Sequence, residues 1–73
     1  MEIKIVNKKT NTVIGKTPSL AYACVCVARK NNPNIVVAVG ENEFSFIETE
    51  NIPMFYCRCL RELSKIGINL CVQ

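Results

Sequence analysis

The stretch that decides the fold is residues 35–47, IVVAVGENEFSFI. Its first five residues form a continuous run of β-branched and small apolar side chains, which predicts a strand that is central in its sheet or buried on both faces. Residues 40–43 supply a turn, and residues 44–47 predict the antiparallel partner strand. We therefore expect a β-hairpin in the middle of the chain.

A second hairpin is predicted at the N-terminus. Apolar residues alternate with polar ones over residues 2–6, residues 7–11 interrupt the pattern, and residues 12–14 resume an extended one. Thr17-Pro18 then combines an N-cap candidate with a proline, which predicts a helix that begins at Pro18. Basic residues at its end complement the helix dipole, and an Asn-Pro-Asn segment stops it after residue 30.

A second helix is predicted to begin near Ile52-Pro53 and to end at Gly67. Apolar side chains spaced by four and three residues share one of its faces, as is typical of an amphipathic helix packed on a sheet. That face comprises Ile52, Tyr56, Cys59, Leu63 and Ile66, and the opposite face carries Arg58, Arg61, Glu62 and Lys65. Residues 68–72 alternate again and predict a short final strand.

The resulting element order is ββαββαβ. It predicts an α+β fold, a ferredoxin-like variant in which one antiparallel sheet of four to five strands carries two helices on one face. An offset of 33 residues aligns the two halves and places Cys24-x-Cys26 on Cys57-x-Cys59. This match has two interpretations, a duplicated hairpin-helix unit or the chance matching of apolar residues. A chain of 73 residues is expected to form one domain, residues 1–73.

Composition indicates a folded protein of a reducing compartment. The apolar fraction of 49% and the charged fraction of 21% are those of globular proteins. The first residues lack the pattern of a secretory signal, and no apolar stretch approaches the roughly 20 residues that span a bilayer. The odd number of cysteines, five, favours free thiols over a disulfide framework. We expect a cytoplasmic protein that does not enter membranes.

The sequence offers little for catalysis or metal binding. Histidine and aspartate are both absent, and the three glycines do not form a phosphate-binding loop. Residues two apart on a helix point about 200° from each other, so Cys24 and Cys26 cannot face one ion. We therefore predict no catalytic residue, no metal site, no cofactor and no enzymatic activity.

The first predicted helix is more apolar than a domain of this size can cover. Residues 20–28 are nine consecutive apolar residues, and a helix that is apolar around its circumference is normally covered on several sides. The sheet covers one side and the second helix another, which leaves a stripe for a protein partner or for a second copy of the chain. The alternative is an innocuous face formed by Ala21, Ala23 and Ala28. The predicted partner-binding residues are Tyr22, Val25 and Arg29 on the helix, with Lys8 and Lys9 at the tip of the first hairpin.

Nucleic-acid binding is the alternative function. Basic residues on the first hairpin and on the second helix are suited to phosphate contacts. They are Lys8, Lys9, Arg58, Arg61 and Lys65. Phe44 and Phe46 share one strand face, which indicates either a stacking platform or, more commonly, part of a core.

The small size, the composition and the lack of chemistry suggest a broader hypothesis. They suit a phage or mobile-element accessory protein that inhibits or modulates a host protein by occluding its site. This expectation comes from composition and not from a motif.

Overall fold

The computed structural model describes residues 2–70, which form one antiparallel sheet and two helices. The elements in chain order are β1 (Ile3–Asn7), β2 (Thr12–Thr17), α1 (Leu20–Lys30), β3 (Ile35–Val39), β4 (Asn42–Ser45) and α2 (Ile52–Lys65). The strand order across the sheet is β2-β1-β3-β4, and every neighbouring pair is antiparallel. The predicted α+β class and the ββαββα order are confirmed. Within residues 2–70, neither helix combines the length and apolarity that crossing a bilayer requires.

The two central strands have different side chains on the two faces of the sheet. Ile5 lies opposite Val37 in the β1–β3 pair, so these two side chains share a face. On this face the strands pack against both helices. The shared core comprises Ile3, Ile5, Leu20, Ala23, Cys24, Val27, Ile35, Val37, Val39, Phe55, Cys59 and Leu63. A second, smaller cluster of Val6, Val36 and Ala38 lies on the opposite face, so β3 is buried on both faces, as its sequence predicts.

Helix α1 begins two residues later than predicted. Thr17 is still the last residue of β2, where it pairs with Ile3, and so it is not the cap. The N-cap is Ser19, whose Oγ accepts a hydrogen bond of 3.2 Å from the Tyr22 N–H. Thr17 instead accepts the Ser19 N–H at 3.1 Å. Pro18 therefore lies between strand and helix, outside both.

The strand boundaries of the two hairpins differ from the predicted ones. The first hairpin contains a bulge, and the second has a shorter turn. In the first hairpin Ile5 pairs with Gly15 and Val6 with Val13, which leaves Ile14 as an extra residue in β2. In the second hairpin the turn is only Gly40-Glu41, and β4 therefore begins at residue 42 instead of 44. Gly40 has a φ of 61°, a value that glycine adopts readily.

Helix α2 has the predicted start and most of the predicted buried face, to which Phe55 is added and from which Ile66 is missing. Its N-cap is Asn51, whose Oδ1 accepts the Met54 N–H at 2.9 Å. The fully buried residues are Phe55, Cys59 and Leu63, whereas Ile52 and Tyr56 are half-buried. Ile66 is 55% exposed because it is the C-cap, where the chain leaves the helix. Its inclusion in the predicted apolar face is wrong.

Gly67 ends α2 as predicted, with a φ of 88°. Its N–H donates to the Ser64 carbonyl, and the Ile68 N–H donates to the Leu63 carbonyl, the two hydrogen bonds of a Schellman motif. The strand predicted over residues 68–72 is absent from residues 68–70, which have no regular secondary structure. Residues 71 and 72 lie outside the described part of the chain.

The order of elements repeats in the two halves, but the offset of 33 residues does not match their buried faces. It places Ile5, which faces the helices, on Ala38, which faces away from them. It also places the buried Cys24 on the exposed Cys57. The helix-facing residues have odd numbers in both β1 and β3, so an odd offset places them on residues of the opposite face. This alignment is therefore wrong as a structural register.

Candidate interaction surface

Helix α1 presents a compact face to solvent, directed away from the sheet. Its buried residues are Leu20, Ala23, Cys24 and Val27, which pack on the sheet and on α2. At 100° per residue, Tyr22, Val25 and Arg29 fall on the opposite side of the helix. Tyr22 is 59% exposed, Arg29 is exposed and Val25 is half-buried. We call these three residues the outer α1 face, and they are the three helical residues that the sequence predicts to bind a partner.

The three alanines of α1 do not form the innocuous face that was the alternative. Ala23 is fully buried in the core, and Ala28 is half-buried. Only Ala21 is exposed. The character of the outer surface of α1 is therefore set by an aromatic and a basic side chain, and not by alanine.

Tyr22 lies one turn before Cys26 on α1. Interaction with the Cys26 side chain is the main cause that raises the pKa of Tyr22 above its ordinary value of 10.0. The phenol therefore stays neutral at physiological pH. It presents a largely exposed aromatic side chain to solvent.

The predicted hairpin lysines lie elsewhere. Lys8 Nζ forms an ion pair of 2.7 Å with Glu43 Oε2. Glu43 is the cross-strand neighbour of Ala38, so this pair crosses β3 on the face of the sheet away from the helices. Lys9 is exposed in the β1–β2 turn. The five predicted partner-binding residues therefore separate into two groups, and Lys8 and Lys9 do not extend the outer α1 face.

Arg58, a predicted phosphate contact, is instead tied to its own fold. Its guanidinium donates to both carboxylate oxygens of Glu50, at 2.6 and 3.3 Å, and to the Ser45 carbonyl at 2.7 Å. It also lies over the Phe55 ring, 5.2 Å from the centroid. The Arg58 hydrogen bonds lower the pKa of Glu50 below its ordinary value. Arg58 thus joins α2 to the end of β4 and to the loop between them.

Most of the basic residues predicted to contact nucleic acid form ion pairs within the protein. Lys65 pairs with Glu62 at 3.3 Å, and Lys8 and Arg58 are paired as described, which leaves Lys9 and Arg61 without an ion pair within residues 2–70. Phe44 and Phe46 pack against the core beneath the helices. The Phe46 ring meets Phe55 edge to face with centroids 5.4 Å apart. Both are half-buried against the core, which is not the arrangement of an exposed stacking platform.

The four described cysteines divide between core and surface. Cys24 on α1 and Cys59 on α2 are both fully buried. Interaction with the Cys59 thiol, together with burial, raises the pKa of Cys24 above its ordinary range. Cys26 is half-buried and Cys57 exposed, so each Cys-x-Cys pair points its two thiols to different sides. Residues 2–70 contain no cluster of three side chains that could hold a metal ion.

Sequence reasoning missed one feature of the sheet. Lys4 lies directly opposite Lys16 in the β1–β2 pair. Only the register beyond the bulge at Ile14 brings the two lysines together, and no local signal reveals that register.

Comparisons of this chain with protein-family models, with curated protein sequences and with solved structures found no match. Its function therefore has to be inferred from its own residues and their geometry.

Proposed function

We propose that this protein is a non-enzymatic binding module whose docking surface is the outer α1 face, and that this face binds a second copy of the chain. The observation that carries the proposal is the exposure of Tyr22, 59%, on a helix whose other side is fully buried. Tyrosine and arginine are enriched among the residues that dominate binding energy at protein interfaces. Tyr22 and Arg29 frame Val25, which supplies an apolar centre.

The spacing of the outer α1 face suits self-association. Tyr22 and Arg29 are equidistant in sequence from the midpoint of Val25 and Cys26. In a twofold-symmetric, antiparallel pair of α1 helices, each Tyr22 therefore meets the Arg29 of the other copy. An arginine over a tyrosine ring is a favourable cation–π contact. Helix α1 contains no acidic residue that could pair with Arg29 and so compete with this contact.

The size of the surface sets the strength of this association. A helix of 11 residues is about 16 Å long, too short to bury the roughly 800 Å² per partner of a standard interface by itself. We therefore expect a weak dimer that forms with increasing concentration, and not an obligate one.

Occlusion is the mechanism that we propose for action on another protein. A small module that docks by one helix face blocks the surface it covers and needs no chemistry of its own. The four described cysteines are free thiols, which supports placing the protein in the cytoplasm. An origin in a phage or mobile element remains a prediction from composition.

Light scattering across a concentration series tests self-association. The wild-type chain is expected to rise from its monomer mass of 8.2 kDa toward twice that value. Val25→Glu places a charge at the centre of the outer α1 face and is expected to remain a monomer. Because Val25 is half-buried, Arg29→Ala serves as a second variant that leaves the core intact and is also expected to weaken the dimer. A wild type that stays at 8.2 kDa throughout, or folded variants that associate as it does, would contradict the proposal.

A further inference from the structure

The face of the sheet away from the helices has an uncompensated pair of charges. Lys4 on β1 and Lys16 on β2 are directly opposite each other, and like charges in that arrangement destabilise a sheet. Neither lysine forms an ion pair within residues 2–70. Glu2 lines a hollow of about 260 Å³ with Lys16, Thr17 and Pro18, but it makes no ion pair there. The two ammonium groups are therefore available to an external anion.

An apolar strip lies next to the two lysines. At the following positions of the sheet, Val6 is opposite Val13 on one side and Val36 on the other. Val13 is 43% exposed, and the bulge residue Ile14 is 44% exposed. We call Lys4, Lys16, Val6, Val13 and Val36 the open sheet face, in which the two lysines and Val13 are exposed and Val6 and Val36 are buried beside them.

We propose that the open sheet face binds an acidic, partly apolar polypeptide segment of another protein. A carboxylate of that segment lies between Lys4 and Lys16, where it removes their mutual repulsion, and an apolar side chain packs on the exposed Val13. The charge of the two lysines selects an acidic ligand, and Val13 selects a ligand with apolar side chains.

Two other occupants fit this face less well. A nucleic acid supplies phosphates for the lysines but would leave the exposed Val13 facing its polar backbone. Phe44 and Phe46, the aromatic residues of β4 and its continuation, pack on the helix side and offer no stacking here. A second copy of the chain docks through the outer α1 face, which lies on the other side of the molecule. The inference is thus independent of the proposed function and goes beyond it.

Fluorescence anisotropy with a labelled octapeptide of alternating glutamate and valine tests the inference. We expect saturable binding at low salt that weakens as salt increases. Lys16→Glu and the milder Lys16→Gln are expected to reduce the affinity, the former by at least about tenfold. Arg61→Glu, the same charge change on the exposed side of α2, is the matched control and is expected to change the affinity by less than about twofold.

Thermal unfolding of the same variants supplies a second, independent readout. Lys16→Glu is expected to raise the melting temperature while it weakens peptide binding, because a glutamate at this position pairs with Lys4. If Lys16 had only a structural role, a variant with a higher melting temperature would not lose affinity for the peptide.

Three results would overturn the inference. They are equal binding of a peptide with glutamine in place of glutamate, unchanged affinity in folded Lys16→Glu and Lys16→Gln, and tighter binding of a DNA duplex than of the peptide. The Lys16 variants leave the outer α1 face intact. A failure of the peptide-binding proposal can therefore be distinguished from a failure of dimerisation.

Discussion

Arg58 makes three hydrogen bonds and a cation–π contact. It bridges Glu50, the Ser45 carbonyl and the Phe55 ring, and the side chains of Arg58 and Glu50 are only 24% and 10% exposed. Within the sequence, Arg58 looks like any charged residue on the outer side of an amphipathic helix. Its partner lies eight residues earlier, before the helix begins. Only the fold of the intervening turn brings the two together, so the sequence did not predict this pair.

Arg58→Gln is expected to destabilise the protein by about 1–2 kcal/mol at neutral pH, because the Glu50 carboxylate loses its charged partner and the Ser45 carbonyl loses a donor. The pKa of Glu50 is lower in the folded protein than its ordinary value of 4.5. The stabilisation is therefore fully present above pH 4.5 and is lost as pH falls through the folded-state pKa.

Urea unfolding of wild type and Arg58→Gln from neutral to acidic pH measures this effect. The difference in free energy of unfolding should shrink as the pH falls below the ordinary glutamate value. Arg61→Gln, on the exposed side of the same helix, is the control and should differ little from wild type at any pH. A difference for Arg58→Gln that does not change with pH would show that the ion pair contributes nothing.

At the scale of the elements, the helix caps can be tested individually. Ser19→Ala and Asn51→Ala each remove a side chain that accepts a backbone N–H at a helix start, and each should cost about 1 kcal/mol. Thr49→Ala, an exposed residue outside both helices, should have little effect. Chemical denaturation measures all three. Equal stability of Ser19→Ala and wild type would show that α1 is capped elsewhere.

Local patterns predicted the elements, and long-range contacts decided their details. The apolar run of β3 and the turn after it are visible in the sequence because burial and turn formation depend on adjacent residues. The bulge at Ile14 is not visible, because it depends on how β2 meets β1. The predicted face of α2 included Ile66 and omitted Phe55, because these two residues have similar apolarity and only the packed core distinguishes them.

The contact between the two helices yields a prediction about thiol chemistry. Cys24 and Cys59 are fully buried between α1 and α2, whereas Cys57 is exposed. Brief alkylation of the native protein, followed by peptide mapping, should modify Cys57 well before Cys24 or Cys59. Unfolding in urea should remove the difference. Early modification of Cys59 in the native protein would contradict the packing of α2 on α1.

At the scale of the whole molecule, the two candidate surfaces lie on opposite sides. The outer α1 face was predicted from the sequence because a fully apolar helix exceeds what one sheet and one helix can cover. The open sheet face was not predicted, because it depends on the register of three strands. The two proposals therefore place a second copy of the chain on one side and an acidic segment on the other.

The central claim is that Tyr22 lies at a self-association surface, and one matched pair of variants tests it most directly. Tyr22→Ser and Met54→Ser each remove a large exposed side chain, 59% and 55% exposed, the first from the outer α1 face and the second from the start of α2. Sedimentation velocity over a concentration series should show that Met54→Ser dimerises as the wild type does and that Tyr22→Ser stays monomeric. Dimerisation of folded Tyr22→Ser at wild-type strength, or its loss only in Met54→Ser, would contradict the claim.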